Sequence, residues 1–340
     1  MQSRAKNRIL LVLKCFLVLL AAMVVTGIAY EQLGQRSDRH RFPQVGRSVD
    51  IGGRTLNIFC SGEGGPVVIL DTGGSAGYGN LLFQRQVSQF TRACWFDRAG
   101  LGWSGPSPVE QTSAAIADDL HALLHAAGVP PPYVLVGSSF SGFNVRAFAG
   151  KYPSEVAGAV PVDSAHEDQY RYEPRVTLAP FNRLPKGIRN LLCAGVPLAA
   201  RVGLVRLLLQ RSGPRRGAPP GFTGDQGATL HGLELQTKSF VAAAVCNFEE
   251  KVSAQMRAAG NMGDRPLIVL TAGQPFKVGD PEADKELVAF HEIWAHQFQT
   301  QLARLSTRGR QVTVEHSNHA IEPDAVLEAI HEVVMEIRGK

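Results

Sequence analysis

A serine stands at a strand-to-helix turn in Gly137-Ser138-Ser139-Phe140-Ser141-Gly142, between the apolar run Tyr133-Val134-Leu135-Val136 and the helix-like stretch from Phe143 to Tyr152. This arrangement, a nucleophile elbow, constrains the chain more than any other feature. A tight turn there thrusts Ser139 Oγ clear of a sheet, and the amide of Phe140, opening the helix, points to where an oxyanion would form. Small residues at Gly137 and Ser141 let strand and helix approach closely. The usual pattern is G-x-S-x-G, and Ser141 stands at its last position, followed by Gly142. Short strings of this kind arise often by chance, so the weight lies in the flanking strand and helix.

At 340 residues and 44% apolar, the chain is long enough for one large domain with an insertion. The net charge of +5 is unevenly spread: residues 1–54 carry nine Lys/Arg against three Asp/Glu, and residues 55–340 carry 26 against 27. The body is therefore neutral, and with no recognised motif a nucleic-acid partner is not expected.

Ile9 to Tyr30 holds a single charged residue, Lys14, in 22 residues. At about 1.5 Å per residue this reaches roughly 33 Å, enough to cross a hydrocarbon core of about 30 Å. Lys14 can snorkel to the interface beside Arg4, Lys6 and Arg8. The pattern predicts a single-pass signal anchor with its short basic terminus in the cytoplasm and the body exported. The alternative is a cleaved signal peptide and a secreted body, because Gly27-Ile28-Ala29 offers small residues at the expected spacing. Five cysteines fit an oxidising compartment: Cys15 lies in the span, leaving Cys60, Cys94, Cys193 and Cys246, with no C-x-x-C spacing to suggest a metal. Two disulfides are possible; four buried thiols are the alternative.

The composition divides the chain into a basic flank (1–8), a membrane anchor (9–30), a polar arginine-rich linker (31–45) and a body. Within the body, Val67-Val68-Ile69-Leu70, Ala93 to Phe96, Tyr133 to Val136, Val156 to Val162, Leu267 to Leu270 and Val312 to Val314 read as strands. Continuous apolar strands alternating with helices mean a mostly parallel sheet covered on both faces. The hundred-odd residues between Val162 and Leu267 break that rhythm. They are expected to form a helical cap (164–265) inserted into a core of residues 46–163 and 266–340, with helical stretches at 191–210 and 232–256 and a Pro/Gly-rich loop at 213–227. Arg183 to Arg216 holds eight Lys/Arg and no acid among its leucines, a basic amphipathic surface that reads as a solvated cap face ahead of a membrane contact.

Over residues 46–336 the chain resembles the α/β-hydrolase fold superfamily, specifically its capped members. The resemblance rests on Asp71-Thr72-Gly73-Gly74-Ser75 after a strand, on Asp97-Arg98-Ala99-Gly100-Leu101-Gly102-Trp103-Ser104 matching a D-R-x-G-x-G-x-S turn, on the elbow, and on a late Ser317-Asn318-His319. It implies an eight-stranded, mostly parallel sheet flanked by helices under a helical cap. The family's histidine in the oxyanion loop is Thr72 here. The second strand runs antiparallel beside the fourth in this fold, so Cys60 and Cys94 are expected to be near enough to cross-link.

A serine hydroxyl needs a base within hydrogen-bond reach, held in turn by a carboxylate. His319, between the last strand and the last helix, is the first candidate base, with His316 behind it. The acid has two candidates: Asp163, ending the strand Val160-Pro161-Val162 as in relatives that carry the acid there, and Asp280, on a longer loop after Gly273. The backbone N–H groups of Gly74 and Phe140 are the candidate oxyanion hole, with Asp97 and Arg98 buttressing that wall. The resemblance implies a serine hydrolase that cleaves a small-molecule or lipid-like acyl substrate through an acyl-enzyme, with no cofactor and no metal. A non-catalytic binding module is the alternative from another class, and a cofactor-free haloperoxidase or acyltransferase the alternative among enzymes.

Overall fold

Val67–Asp71, Tyr133–Ser138 and Leu267–Ala272 are short runs dominated by Val, Ile and Leu, and nearly every residue in them is buried. They are inner strands of one sheet in the computed structural model, which describes residues 2–174, 184–210, 221–243, 245 and 248–339. In chain order the strands are β1 (Arg47–Asp50), β2 (Thr55–Ser61), β3 (Val67–Asp71), β4 (Ala93–Phe96), β5 (Tyr133–Ser138), β6 (Val156–Val162), β7 (Leu267–Ala272) and β8 (Gly309–Val314). They lie in the order β1-β2-β4-β3-β5-β6-β7-β8. Only β2 breaks the parallel arrangement, pairing antiparallel with both β1 and β4. Cys60 and Cys94 face each other in the β2–β4 register and form a disulfide with Cα atoms 4.1 Å apart. Cys193 is also disulfide-bonded, and Cys246 lies outside the described residues.

Alternate strand residues serve opposite faces, as a pleated backbone requires. Ile69, Leu135 and Val269 pack on one side, while Val68, Leu70, Val134, Val136, Ile268 and Leu270 pack on the other. The helices that cover them follow in chain order: α1 (Gln2–Arg41), α2 (Leu81–Val87), α3 (Ser113–Ala126), α4 (Ser141–Lys151), α5 (Lys186–Arg201), α6 (Leu204–Gln210), α7 (Gly224–Glu234), α8 (Thr237–Ala243), α9 (Phe248–Ala259), α10 (Pro281–Ile293), α11 (Gln299–Ala303) and α12 (Pro323–Ile337). α3 and α4 cover the first face, joined by Trp294 and Phe298. α2 and α12 cover the second.

Between β6 and β7 the described chain is helical, α5 to α9, with α5 and α6 separated at Gly203, whose φ is 70°. The Pro/Gly-rich tract expected as a loop up to residue 227 is helical from Gly224, because Thr223 and Gln226 form a reciprocal capping box there; residues 211–220 lie outside the described chain.

The stretch expected to be a linker differs most. α1 continues unbroken to Arg41, and its lower part packs on the cap. Arg206 donates to Glu31 at 3.0 Å and to Asp38 at 2.8 Å, and Thr237 donates to Glu31 at 2.9 Å. Glu31 and Asp38, seven residues apart, share one helix face, which a reading of composition alone takes for loose polar chain. Phe42 is buried, and its carbonyl accepts from Trp103 Nε1 at 2.9 Å. Above this junction Ile9 to Val25 expose their apolar side chains, and α1 is, among the described residues, the one helix long and apolar enough to cross a membrane.

Candidate active site

The turn after β5 gives Ser139 a left-handed backbone, φ 53°, a conformation that costs energy for any residue with a Cβ. The neighbouring strand holds it there. Ser139 N–H donates to Val162 O at 3.0 Å, and Ser139 O accepts from Ala165 N at 2.9 Å and from Gly142 N at 3.1 Å. The glycines of the motif are steric requirements. A Cβ on Gly137 would come within 2.7 Å of Ser141 O, and one on Gly142 within 2.5 Å of Ser164 Cβ. Ser141, at the position usually taken by glycine, is fully buried, and its hydroxyl has no partner among the described residues.

Asp163, directly after β6, is the second non-glycine residue with positive φ, at 40°. That corner turns its carboxylate inward, where it is 3% exposed. Oδ1 accepts from Ala272 N at 3.0 Å and from Trp294 Nε1 at 2.9 Å. Oδ2 is left for His319 Nδ1, at 2.6 Å. His319 Nε2 lies 3.0 Å from Ser139 Oγ. The tautomer that satisfies both bonds carries its proton on Nδ1, so the Nε2 lone pair faces the serine hydroxyl. The structure thus brings Ser139, His319 and Asp163 into one line. Asp280 stands apart from that line, exposed at the start of α10 and capping it through Ala283 N at 2.9 Å. His316 is exposed and bonds to neither Ser139 nor Asp163.

Sequence reasoning missed Trp294. It lies 131 residues beyond Asp163 in the chain, in a short π-helical segment after α10, so no local spacing signals it. Its indole nitrogen fixes the Asp163 carboxylate, and its ring meets the His319 imidazole edge-on at 6.4 Å.

Two backbone amides near the elbow, those of Gly74 and Phe140, have no acceptor among the described residues. The loop carrying Gly74 is tied down from several sides. Asp71 accepts from Gly73 N at 3.1 Å and from Asn144 Nδ2 at 2.8 Å, and Thr72 Oγ1 closes the loop on Ser75 O at 2.9 Å. Asp97, fully buried, accepts from Gly77 N at 2.7 Å, Trp103 N at 3.0 Å and Asn57 Nδ2 at 3.0 Å, so it pins the D-R-x-G turn to β2 and to the segment just after the Gly74 loop. Burial raises its pKa, against the pull of those three donors. Arg98 stacks on Phe140, its Cζ 4.9 Å from the ring centroid. Burial lowers its pKa, opposed by the charge of Asp71.

A cavity of about 620 Å³ opens beside His319. Its floor is Asp71, Thr72, Ser138 and His319, and α7 roofs it with Leu230, His231 and Glu234. Its lining mixes these polar groups with the apolar Leu82, Phe83, Phe222 and Ile321, a combination that suits a small organic ligand.

The sequence matches the α/β-hydrolase fold family over residues 66–257. Among curated proteins it is 34% identical over 137 residues to a probable transporter, efuK, of Hormonema carpetanum, covering 37% of this chain and 19% of that protein. It is 26% identical over 166 residues to the uncharacterized protein YbdG of Bacillus subtilis, covering 47% of this chain and 51% of that one. The chain thus spans about half or less of the length of these relatives. Among solved structures, a thermophilic esterase from Thermogutta terrifontis superposes with a TM-score of 0.57 at 20% identity, over 86% of this chain and 99% of the esterase; that likeness shows the fold. The match over residues 66–257, more than half of the sequence, together with the sheet order, makes the chain a member of the α/β-hydrolase fold family.

Proposed function

We propose that the chain is a membrane-anchored serine hydrolase that cleaves an ester or related acyl compound through an acyl-enzyme. The observation that carries this reading is the continuous line from Ser139 Oγ through His319 to Asp163, at 3.0 and 2.6 Å. Ser139 Oγ attacks the carbonyl carbon while its proton passes to His319 Nε2. The carbonyl oxygen, now an anion, is received by the Gly74 and Phe140 amides. As the bond to the leaving oxygen breaks, His319 returns that proton to it. A water molecule then attacks the acyl-serine, gives a proton to His319, and frees the acid and Ser139. Asp163 remains ionised throughout, holding the imidazole tautomer and stabilising its charged form.

The oxyanion amides account for a large share of the rate, since losing one such donor costs about 3–4 kcal/mol at the transition state. The test is turnover by the purified full-length chain, in detergent, of esters graded in acyl length. Hydrolysis that stops in Ser139→Ala supports the reading. Equal turnover by that variant removes it.

The anchor reading rests on α1. Gly27 and Tyr30 lie against Val202 and Gly203 of the cap, so cleavage near Ala29 would sever a packed helix. This favours retention over a cleaved signal. The basic terminus then stays in the cytoplasm and the body is exported, a compartment suited to the Cys60–Cys94 disulfide. Alkaline carbonate extraction tests retention: the full-length chain stays with the membrane pellet if α1 spans, and leaves it if the segment has been removed.

A further inference from the structure

A second cavity, of about 330 Å³, meets the site from the side of the oxyanion amides: Gly74 and Phe140 line it, and His319 does not. Its other walls are apolar, formed by Leu101, Ala242 and Phe248 among others, with two polar exceptions. One is the neutral Gln111. The other is Arg98, a cation in an unusual situation. Its Nε is buried without an acceptor, and its guanidinium makes no hydrogen bond or ion pair among the described residues. The acid whose charge acts on it, Asp71, is already occupied by Gly73 N and Asn144 Nδ2. Only Nε is buried; Arg98 as a whole is half-buried and borders the cavity, and the planar fork of arginine matches a carboxylate with two parallel bonds. The stacking on Phe140 holds the fork beside the Phe140 amide, with no acceptor for its N–H groups among the described residues.

We propose that this cavity receives the acyl side of the substrate and that Arg98 binds a carboxylate at its far end, so that the substrate is a half-ester, or a related acyl derivative, of a dicarboxylic acid. The inference rests on the serine-hydrolase reading, which fixes the direction. His319 must reach the leaving oxygen, so the leaving group lies in the larger cavity that His319 lines. With the carbonyl oxygen on the two amides, the remaining substituent enters the cavity those amides border. Bond making and breaking are those of the acyl-enzyme cycle; the products are an alcohol and a dicarboxylate.

The test compares two esters with one leaving group and one chain length, mono-4-nitrophenyl adipate and its methyl-capped neutral counterpart, on the full-length enzyme. A charge-assisted pair predicts a kcat/KM about tenfold to a hundredfold higher for the charged ester. Arg98→Met should bring the ratio to near one, and Arg98→Lys should keep part of it. If Arg98→Met does not fold, the ratio in the wild type and in Arg98→Lys still decides. A wild-type ratio at or below one, or a high ratio surviving in Arg98→Met, overturns the proposal. If Ser139 is labelled by a fluorophosphonate and neither ester is hydrolysed, the acyl class is wrong and the proposal falls. If Ser139 is not labelled at all, the serine-hydrolase reading itself fails.

A separate observation concerns the cap. α5 and α6 expose Leu191 (73%), Leu198 (62%), Leu204 (45%) and Leu208 (55%). These helices meet α1 where Gly27 packs on Val202 and Glu31 bonds Arg206, directly below the exposed apolar part of α1. A leucine face continuous with a membrane span has one medium that covers it. We infer that α5 and α6 lie in the bilayer interface, an inference that rests on the anchor reading. An environment-sensitive fluorophore placed on Leu191→Cys or Leu208→Cys in a Cys15→Ser background should be quenched by doxyl-labelled lipid in phosphatidylcholine/phosphatidylglycerol nanodiscs, as should one on Val18→Cys. Quenching at Val18 alone overturns the cap contact and leaves the anchor. Quenching at none of the three removes the anchor as well.

Discussion

Ser139 and Asp163 sit on the ends of adjacent strands with left-handed backbones, at φ 53° and 40°, whereas Glu31 and Arg206 meet through side chains alone at 3.0 Å. In the first region the main chain fixes the geometry. Hydrogen bonds from Ser139 N to Val162 O and from Asp163 N to Leu270 O tie the turns to neighbouring strands. In the second, a buried cation depends on two carboxylates supplied by a distant helix, Glu31 and Asp38 of α1. Burial alone would lower the Arg206 pKa, and those carboxylates raise it instead. A site built from backbone survives loss of a side chain; a junction built from paired charges does not.

Ser139→Ala and His319→Ala should each reduce kcat by up to about a millionfold, since nucleophile and base act as one unit. Thermal unfolding of both variants should match wild type, because the turn is held by main-chain bonds. A large loss of stability in Ser139→Ala contradicts the claim that backbone holds the elbow.

At the junction the expectation reverses, with stability lost and chemistry kept. Replacing Glu31 with Gln and Asp38 with Asn leaves Arg206 buried without a counter-charge, and should cost about 3–5 kcal/mol in denaturant unfolding. Adding Arg206→Met should recover most of it. A chain beginning at residue 46 should be less stable than one beginning at residue 27, which keeps Glu31, Asp38 and Phe42. Equal stability of the two truncations would show that Glu31, Asp38 and Phe42 do not stabilise the body.

The Cys60–Cys94 disulfide closes a separation of 34 residues. Replacing both cysteines with Ala should lower unfolding free energy by about 2–4 kcal/mol with kcat unchanged. The smallest effect concerns Lys238 on α8 of the cap, half-buried, whose Nζ donates to Ser104 O at 2.8 Å. Burial pushes its pKa down to about 8 from 10.5. Between those values the unfolded chain holds a proton that the folded chain has released, so stability should rise with pH across that window and the slope should flatten in Lys238→Met. An unchanged slope in that variant assigns the titration to another group.

The same contrast explains what could be read from sequence. The parallel sheet was legible because Val, Ile and Leu in runs such as Val67 to Leu70 have few alternatives to a doubly covered strand. Ser139 stands out because a strand-to-helix turn restricts residue types over a short, countable spacing, whereas spacing alone leaves the acid open between Asp163 and Asp280. Glu31 and Arg206 are 175 residues apart, and Trp294 and Asp163 are 131 apart, so neither pairing leaves a local mark. Residues 31–45 looked like a linker because polar composition does not distinguish exposed chain from a helix whose acids face a buried arginine. Arg98 read as a buttress for the same reason. The D-R-x-G turn accounts for its place in the chain, and only the folded cavity reveals that its guanidinium makes no hydrogen bond or ion pair among the described residues.

The rate at which a fluorophosphonate labels Ser139, followed by intact mass, reports whether the line from Ser139 through His319 to Asp163 activates the serine. Asp163→Asn retains an oxygen for Ala272 N and Trp294 Nε1, so the fold should hold while the imidazole loses its carboxylate. Labelling should slow by about 10⁴-fold in Asp163→Asn and stay at the wild-type rate in Asp280→Asn, whose carboxylate caps α10. A wild-type rate in Asp163→Asn, or a collapse in Asp280→Asn, would mean that Asp163 is not the carboxylate that supports His319.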